Sequence, residues 1–146
     1  MATNNITGIR DVQRLLDRVG RAPAKVLTKA TKLGAYIVRN QARANAPVDS
    51  GALKRGIKLK AEKRRAGKKV YQISFFGRDG KTGEEFIKIE SDGSRSFYPV
   101  SQEYGWKSDG GYIEGKRFLR DAFENNREAI KDVILTSMFR ELNSVR

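Results

Sequence analysis

The chain has 146 residues, no cysteine and no histidine, and carries 30 Lys and Arg against 17 Asp and Glu, a net charge of +13. The missing cysteines exclude disulfides, thiolate catalysis and cysteine-ligated zinc or iron–sulfur centres, and the missing histidines remove the commonest general base and the commonest transition-metal ligand. These absences suit a reducing compartment, no apolar run approaches a membrane span, and Met1–Asn5 lacks the basic start and apolar core of a signal peptide.

The length is that of one domain, residues 1–146, and an aromatic content of 9% argues for a folded chain despite 32% charged residues. The charge is uneven. Residues 51–70 hold nine basic residues and one acidic, whereas residues 71–146 hold twelve basic and thirteen acidic. A field of that kind attracts nucleic acid, anionic surfaces or acidic proteins.

In chain order, residues 1–8 read as a flexible polar arm. Ile9, Val12, Leu15, Leu16 and Val19 recur at helical spacing and predict a first short helix, interrupted by Gly20 and Pro23. Pro23 then suits an early position of a second helix. Val26, Leu27, Ala30, Leu33, Ile37 and Val38 form its apolar stripe, with Lys25, Lys29, Lys32, Arg39 and Arg43 around the rest. Gly34 lies inside the stripe, where it would let another backbone come close. The helix is predicted to end near Ala46, because the residue before Pro47 avoids the α region.

Asp49-Ser50-Gly51 reads as a turn. Residues 52–59 fit a short helical turn carrying Leu53 and Ile57, running out as a strand. Residues 60–69 read as a basic loop. Val70–Phe76 is the clearest strand, residues 77–85 a polar loop or hairpin tip, Phe86–Glu90 a second strand, Ser91–Ser96 a turn, and Phe97–Tyr104 a third strand with Pro99 near its start or at an edge. Residues 105–115 read as a glycine-rich loop bearing Trp106 and Tyr112. A last helix, from about Arg117 to Leu142, carries Phe118, Leu119, Ala122, Phe123, Ile130, Val133, Ile134 and Met138. The order predicts an α+β fold: N-terminal helices, a central antiparallel sheet of about four strands, and a C-terminal helix packed on the sheet.

Catalytic patterns fit poorly. Gly80-Lys81-Thr82 invites a phosphate-loop reading, but the glycine that motif needs five residues earlier is Phe75, and the context is a hairpin tip. Glu84, Glu85, Glu90, Asp92 and Asp109 match no Ca²⁺-loop spacing and read as solvated acids. No Ser-x-x-Lys context supplies a base for a serine nucleophile. The expectation is a non-enzyme without cofactor or metal. The basic segment holds Lys54, Arg55, Lys58, Lys60, Lys63, Arg64, Arg65, Lys68 and Lys69. It contains no aromatic residue for stacking on bases, so a contact with nucleic acid there would be electrostatic and sequence-independent; an acidic protein, or solvent alone, fits equally well.

Two stretches carry a resemblance. One runs from Ala42 to Ile57, ARANAPVDSGALKRGI; the other is Tyr98–Trp106, YPVSQEYGW, followed by Lys116–Phe123, KRFLRDAF. Together, in this order, they are similar to the tail-completion, or head–tail joining, proteins of long-tailed bacteriophages and prophages. The motif positions are Pro47, Asp49, Ser50, Gly51, Leu53, Tyr104, Gly105, Phe118 and Leu119. Two departures stand out: Gly56 where the family pattern has a serine, and Arg117 where it has a proline. Physically, Pro47 stops a helix, Asp49 and Ser50 can accept from nearby backbone N–H groups, and Gly51 permits positive φ.

The resemblance implies a structural virion protein at the neck or top of the tail, assembled in the bacterial host cytoplasm. It implies a homo-oligomeric ring, a hexamer, between a head-completion or connector protein and the tail tube protein, with at most a transient DNA contact and no membrane. The expected contact elements are residues 54–69, the 77–85 tip, and the loop from Trp106 to Tyr112. The rival readings are a free, sequence-independent nucleic-acid-binding protein and a basic adaptor for an acidic protein.

Overall fold

The computed structural model describes residues 7–63, 68–77 and 83–144, with side chains from residue 24 onward. A single helix, α1 (Thr7–Asn45), runs through the region where two helices were predicted. Gly20 and Pro23 do not break it. The reason lies in the phase of the stripe: Val12, Val19, Val26 and Leu33 fall seven residues apart, so one apolar face continues unshifted past the proline. α1 ends where Pro47 demands, with the Ala46 N–H donating to the Ala42 carbonyl at 2.9 Å.

The turn that follows seats a short helix, α2 (Ala52–Gly56), behind Gly51 at φ 73°. The chain then leaves directly as β1 (Ile57–Ala61), antiparallel to β2 (Tyr71–Phe75), with Ile57 opposite Phe75 and Ala61 opposite Tyr71. This is the turn-then-strand course expected for residues 52–59. A 3-10 turn (Glu84–Phe86) leads into β3 (Ile87–Ile89), which pairs with β4 (Arg95–Phe97).

Residues 98–104 depart from expectation. They form a helix, α3 (Tyr98–Tyr104), in place of a strand. Pro99 sits in its first turn, where a missing N–H costs nothing, and Pro99 and Glu103, one helical turn apart, are the buried positions. The glycine-rich segment 105–115 is a third hairpin, β5 (Gly105–Ser108) and β6 (Gly111–Glu114), turning at Asp109-Gly110. The C-terminal helix is two: α4 (Phe118–Glu124) and α5 (Arg127–Asn143), parted at Asn125-Asn126, where the Asn126 side chain donates to the Ala122 carbonyl.

The fold is therefore α+β, but the described strands make three two-stranded antiparallel sheets and no four-stranded one. The physical reason is aromatic. Phe75 lies edge-on to Phe86, Phe97 and Phe118, with ring centroids 6.2, 6.3 and 5.9 Å away, so side chains occupy the space between strand pairs. These rings join Val38, Ala42, Ala46, Leu53, Ile57 and Ala122 in one core. α5 lies along α1 and not on a sheet. Gly34 makes the close approach, though to side chains: a Cβ there would stand 2.9 Å from Ile134 Cδ1 and 3.1 Å from Ile130 Cγ2.

Candidate assembly surface

The two motif stretches meet in space. Pro47, Asp49, Ser50, Gly51 and Leu53 line one wall of an open cleft, and Glu85, Tyr98 and Gln102 line the other. Leu53 is buried beneath it, while Val48 is 72% exposed at the lip. Ser50 Oγ accepts from the Ala52 N–H at 3.3 Å and the Ser50 carbonyl accepts from Arg55 at 3.1 Å, fixing the turn. The Tyr98 hydroxyl is held above the usual phenol range by burial first and the charge of Glu85 second.

Gly56, the first departure from the resembling pattern, has a structural cause. A Cβ there would stand 2.3 Å from Phe86 Cζ, so the fully buried ring rests on the bare glycine backbone. Arg117, the second departure, sits at φ 47°. Proline cannot take that angle, because its ring fixes φ near −65°.

Glu103 is the residue that sequence reasoning missed. It is 3% exposed, and its two carboxylate oxygens accept from the backbone N–H groups of Leu119 and Arg120, both at 2.9 Å. It thus satisfies two of the orphan donors at the start of α4, while its own carbonyl accepts from the Arg117 N–H at 3.0 Å. Phe118, fully buried, drops into the core beside Phe75, and half-buried Leu119 packs at its edge. The available sequence signal was an acid placed between the aromatic Tyr98 and Gly105, ahead of a helix start.

From this anchorage the β5–β6 hairpin projects outward. At its base, Gly105 has φ 94°, and a Cβ there would lie 2.3 Å from the Ile113 carbonyl oxygen; a Cβ on Gly115 would lie 2.2 Å from the Glu103 carbonyl oxygen. Both glycines are required by backbone crossing backbone. Beyond the base, Trp106 pairs across the strands with Ile113, and the Tyr112 hydroxyl donates to the Tyr104 carbonyl. Tyr104, Trp106, Tyr112 and Ile113 are all exposed, Tyr104 and Tyr112 by about two thirds. A second exposed apolar row, Leu135, Phe139 and Leu142, runs along α5.

The described cations of the basic segment differ in their surroundings. Lys54, Arg55, Lys60, Lys63 and Lys68 are exposed. Lys58 donates to the Gly77 carbonyl, Lys60 lies 5.3 Å over the Phe76 ring, and Lys69 both donates to the Glu62 carbonyl at 3.0 Å and covers the Tyr71 ring. Three of its cations are thus engaged by their own hairpin. Arg64 and Arg65 lie outside the described residues, as do residues 1–6 of the expected arm and 78–82 of the expected tip. Among the described residues no group of His, Cys, Asp or Glu is placed to hold a metal ion, and no helix is long and apolar enough to cross a membrane.

The family described as "Bacteriophage HK97-gp10, putative tail-component" matches residues 10–93, more than half of the chain. The chain belongs to this family. It is a phage tail-related structural component. The matched region takes in α1, the Pro47–Gly51 turn, both strands of the first hairpin and Phe86; the aromatic hairpin and Glu103 lie beyond it. No curated protein and no solved structure matches the chain.

Proposed function

We propose that this tail component completes the tail at the phage neck. Subunits assemble into a ring, a hexamer, between a head-completion or connector protein and the tail tube protein, leaving a central path for DNA. The protein acts through interface geometry. The observation that carries this reading is the β5–β6 hairpin: a rigidly anchored element whose aromatic side chains, Trp106 and Tyr112 with Tyr104 and Ile113, face outward. Exposed Trp and Tyr on a well-held element are the residues that dominate protein interfaces once desolvated. The turn at Pro47–Gly51 with exposed Val48, and Lys54, Lys63 and Lys68 of the basic segment, supply further contact positions toward neighbouring virion proteins.

The test is mass measurement by light scattering and negative-stain imaging of the purified chain, alone and mixed with the tail tube protein of the same phage. A closed ring in either sample is the expected outcome. A stable monomer in both, one that also fails to join tails in a complementation assay, overturns the reading.

A further inference from the structure

One face of α1 is not used by the core or by the aromatic hairpin. From Arg18 to Val48 the sequence contains no Asp or Glu. Within that stretch Lys25, Lys29, Lys32, Tyr36, Arg39 and Arg43 recur in steps of four and three residues. On a helix they form a single row about 27 Å long. Lys25, Lys29 and Lys32 are exposed and the other three half-buried, while Val26, Ala30, Val38 and Ala42 turn the opposite side of the helix into the core.

The row is organised. The Tyr36 ring lies between Lys32, 5.6 Å from its centroid, and Arg39, 4.5 Å away. Lys29 pairs with Glu141 of α5, and Arg43 donates to the Ile57 carbonyl at 2.9 Å. Arg39 donates to the neutral Asn40 amide oxygen at 2.9 Å, which steers its guanidinium without neutralising it. Among the described residues, no acid pairs with Lys25, Lys32, Arg39 or Arg43.

Such a row works against the helix that carries it. Like charges three or four residues apart repel, and a helix that only had to stay wetted would intersperse acids. Arg43 is held below the usual guanidinium range, by burial first and by the charge of Arg39 second. A row of one sign in which an acid meets Lys29 alone among the described residues is a surface suited to the opposite charge.

We propose that this face of α1 is where the protein meets the phosphate backbone of duplex DNA. The proposal builds on the neck reading, which brings DNA past the protein, and assigns the contact to α1 in place of residues 54–69. DNA fits the row better than an acidic protein does. Over residues 24–45 of α1, where side chains are described, Leu33 is the only exposed large hydrophobic. Protein interfaces depend on desolvated apolar anchors, whereas phosphate contact needs only cations in series. The contact is sequence-independent, because lysines spaced along a helix face neutralise phosphates without reading base edges.

The experiment is binding of the full-length chain to a mixed-sequence duplex across a salt series. The variant Lys25→Gln/Lys32→Gln/Arg39→Gln should flatten the slope of log K against log salt by about 2–3, the loss of three phosphate contacts. The variant Lys54→Gln/Arg55→Gln/Lys68→Gln should leave the slope near that of the unaltered chain. Lys25→Arg/Lys32→Arg/Arg39→Lys, which preserves charge, should bind as the unaltered chain does, so that a loss in the glutamine variant is a loss of charge and not of folding. An unchanged slope in the α1 glutamine variant, a slope lost only in the 54–68 variant, or failure of the charge-preserving variant overturns the proposal. Equal binding of poly-glutamate, lost in the same variant, gives the row to an acidic protein and overturns it too. Light scattering with the tail tube protein added, and tail-joining complementation, separate the two readings: a chain that binds DNA through α1 yet stays monomeric there and fails to join tails sinks the neck reading and leaves this one standing.

Discussion

The two outer hairpins of this molecule invert each other. β1–β2 looks charged in sequence, yet it is the one built into the body: Ile57 and Phe75 are buried, Tyr71 donates to the Thr28 carbonyl of α1 at 3.3 Å, and Lys58, Lys60 and Lys69 lie down on their own strands. β5–β6 looks like a polar glycine-rich loop, yet it holds Trp106, Tyr112 and Ile113 out in solvent on a base that cannot shift. One hairpin spends its apolar residues on folding. The other leaves them exposed, which accords with the interface proposed for it. Net charge and local composition draw attention to β1–β2, whereas the exposure of large apolar side chains draws it to β5–β6.

Four substitutions sharpen that contrast. Phe75→Ala removes the ring that touches Phe86, Phe97 and Phe118 and should cost about 3–5 kcal/mol in urea unfolding. Glu103→Ala strips two buried N–H groups of their acceptor and should cost about 2–3 kcal/mol, with amide exchange of Leu119 and Arg120 rising first. Gly56→Ser forces Phe86 off the backbone and should cost about 1–3 kcal/mol, part of it recovered by adding Phe86→Leu. Trp106→Ala/Tyr112→Ala should change unfolding stability by only about 0.5 kcal/mol, while abolishing ring formation. If that pair instead unfolds the chain as Phe75→Ala does, the hairpin is a covering of the core and the contrast fails.

Much of the frame was legible. Pro47 ended α1, Asp49-Ser50-Gly51 turned, and the passage from Leu53 to Ile57 gave helix and then strand, because each depends on backbone chemistry within a few residues. The failures have separate causes. Pro23 was read as a break because local propensity was weighed above the unshifted stripe on either side of it. Residues 97–104 open with Phe97, Tyr98 and Val100, types favoured in strands, but burial of Pro99 and Glu103 one turn apart follows the helical period. Asp109-Gly110 was a hairpin signal in plain view, although the positive φ falls on Gly111, at 123°. The paired asparagines at 125 and 126 were hidden inside a stripe that resumes at Ile130. Of the candidate site, Gly51 and Leu53 hold the turn as its chemistry suggests, whereas Tyr104 and Gly105 close a helix and not a strand; Glu103 lies inside the Tyr98–Trp106 stretch, but its bond to α4 depends on α3.

The anchorage at Glu103 also decides how the hairpin is tethered. The hairpin joins the rest through α3 and through one carboxylate gripping two amides of α4. The hairpin therefore leaves and re-enters the body at one place, where the Lys116 and Arg117 N–H groups also donate to the Gln102 and Glu103 carbonyls, at 2.7 and 3.0 Å. Residues 103–119 are in effect a loop closed by hydrogen bonds, with the aromatic hairpin as its far end.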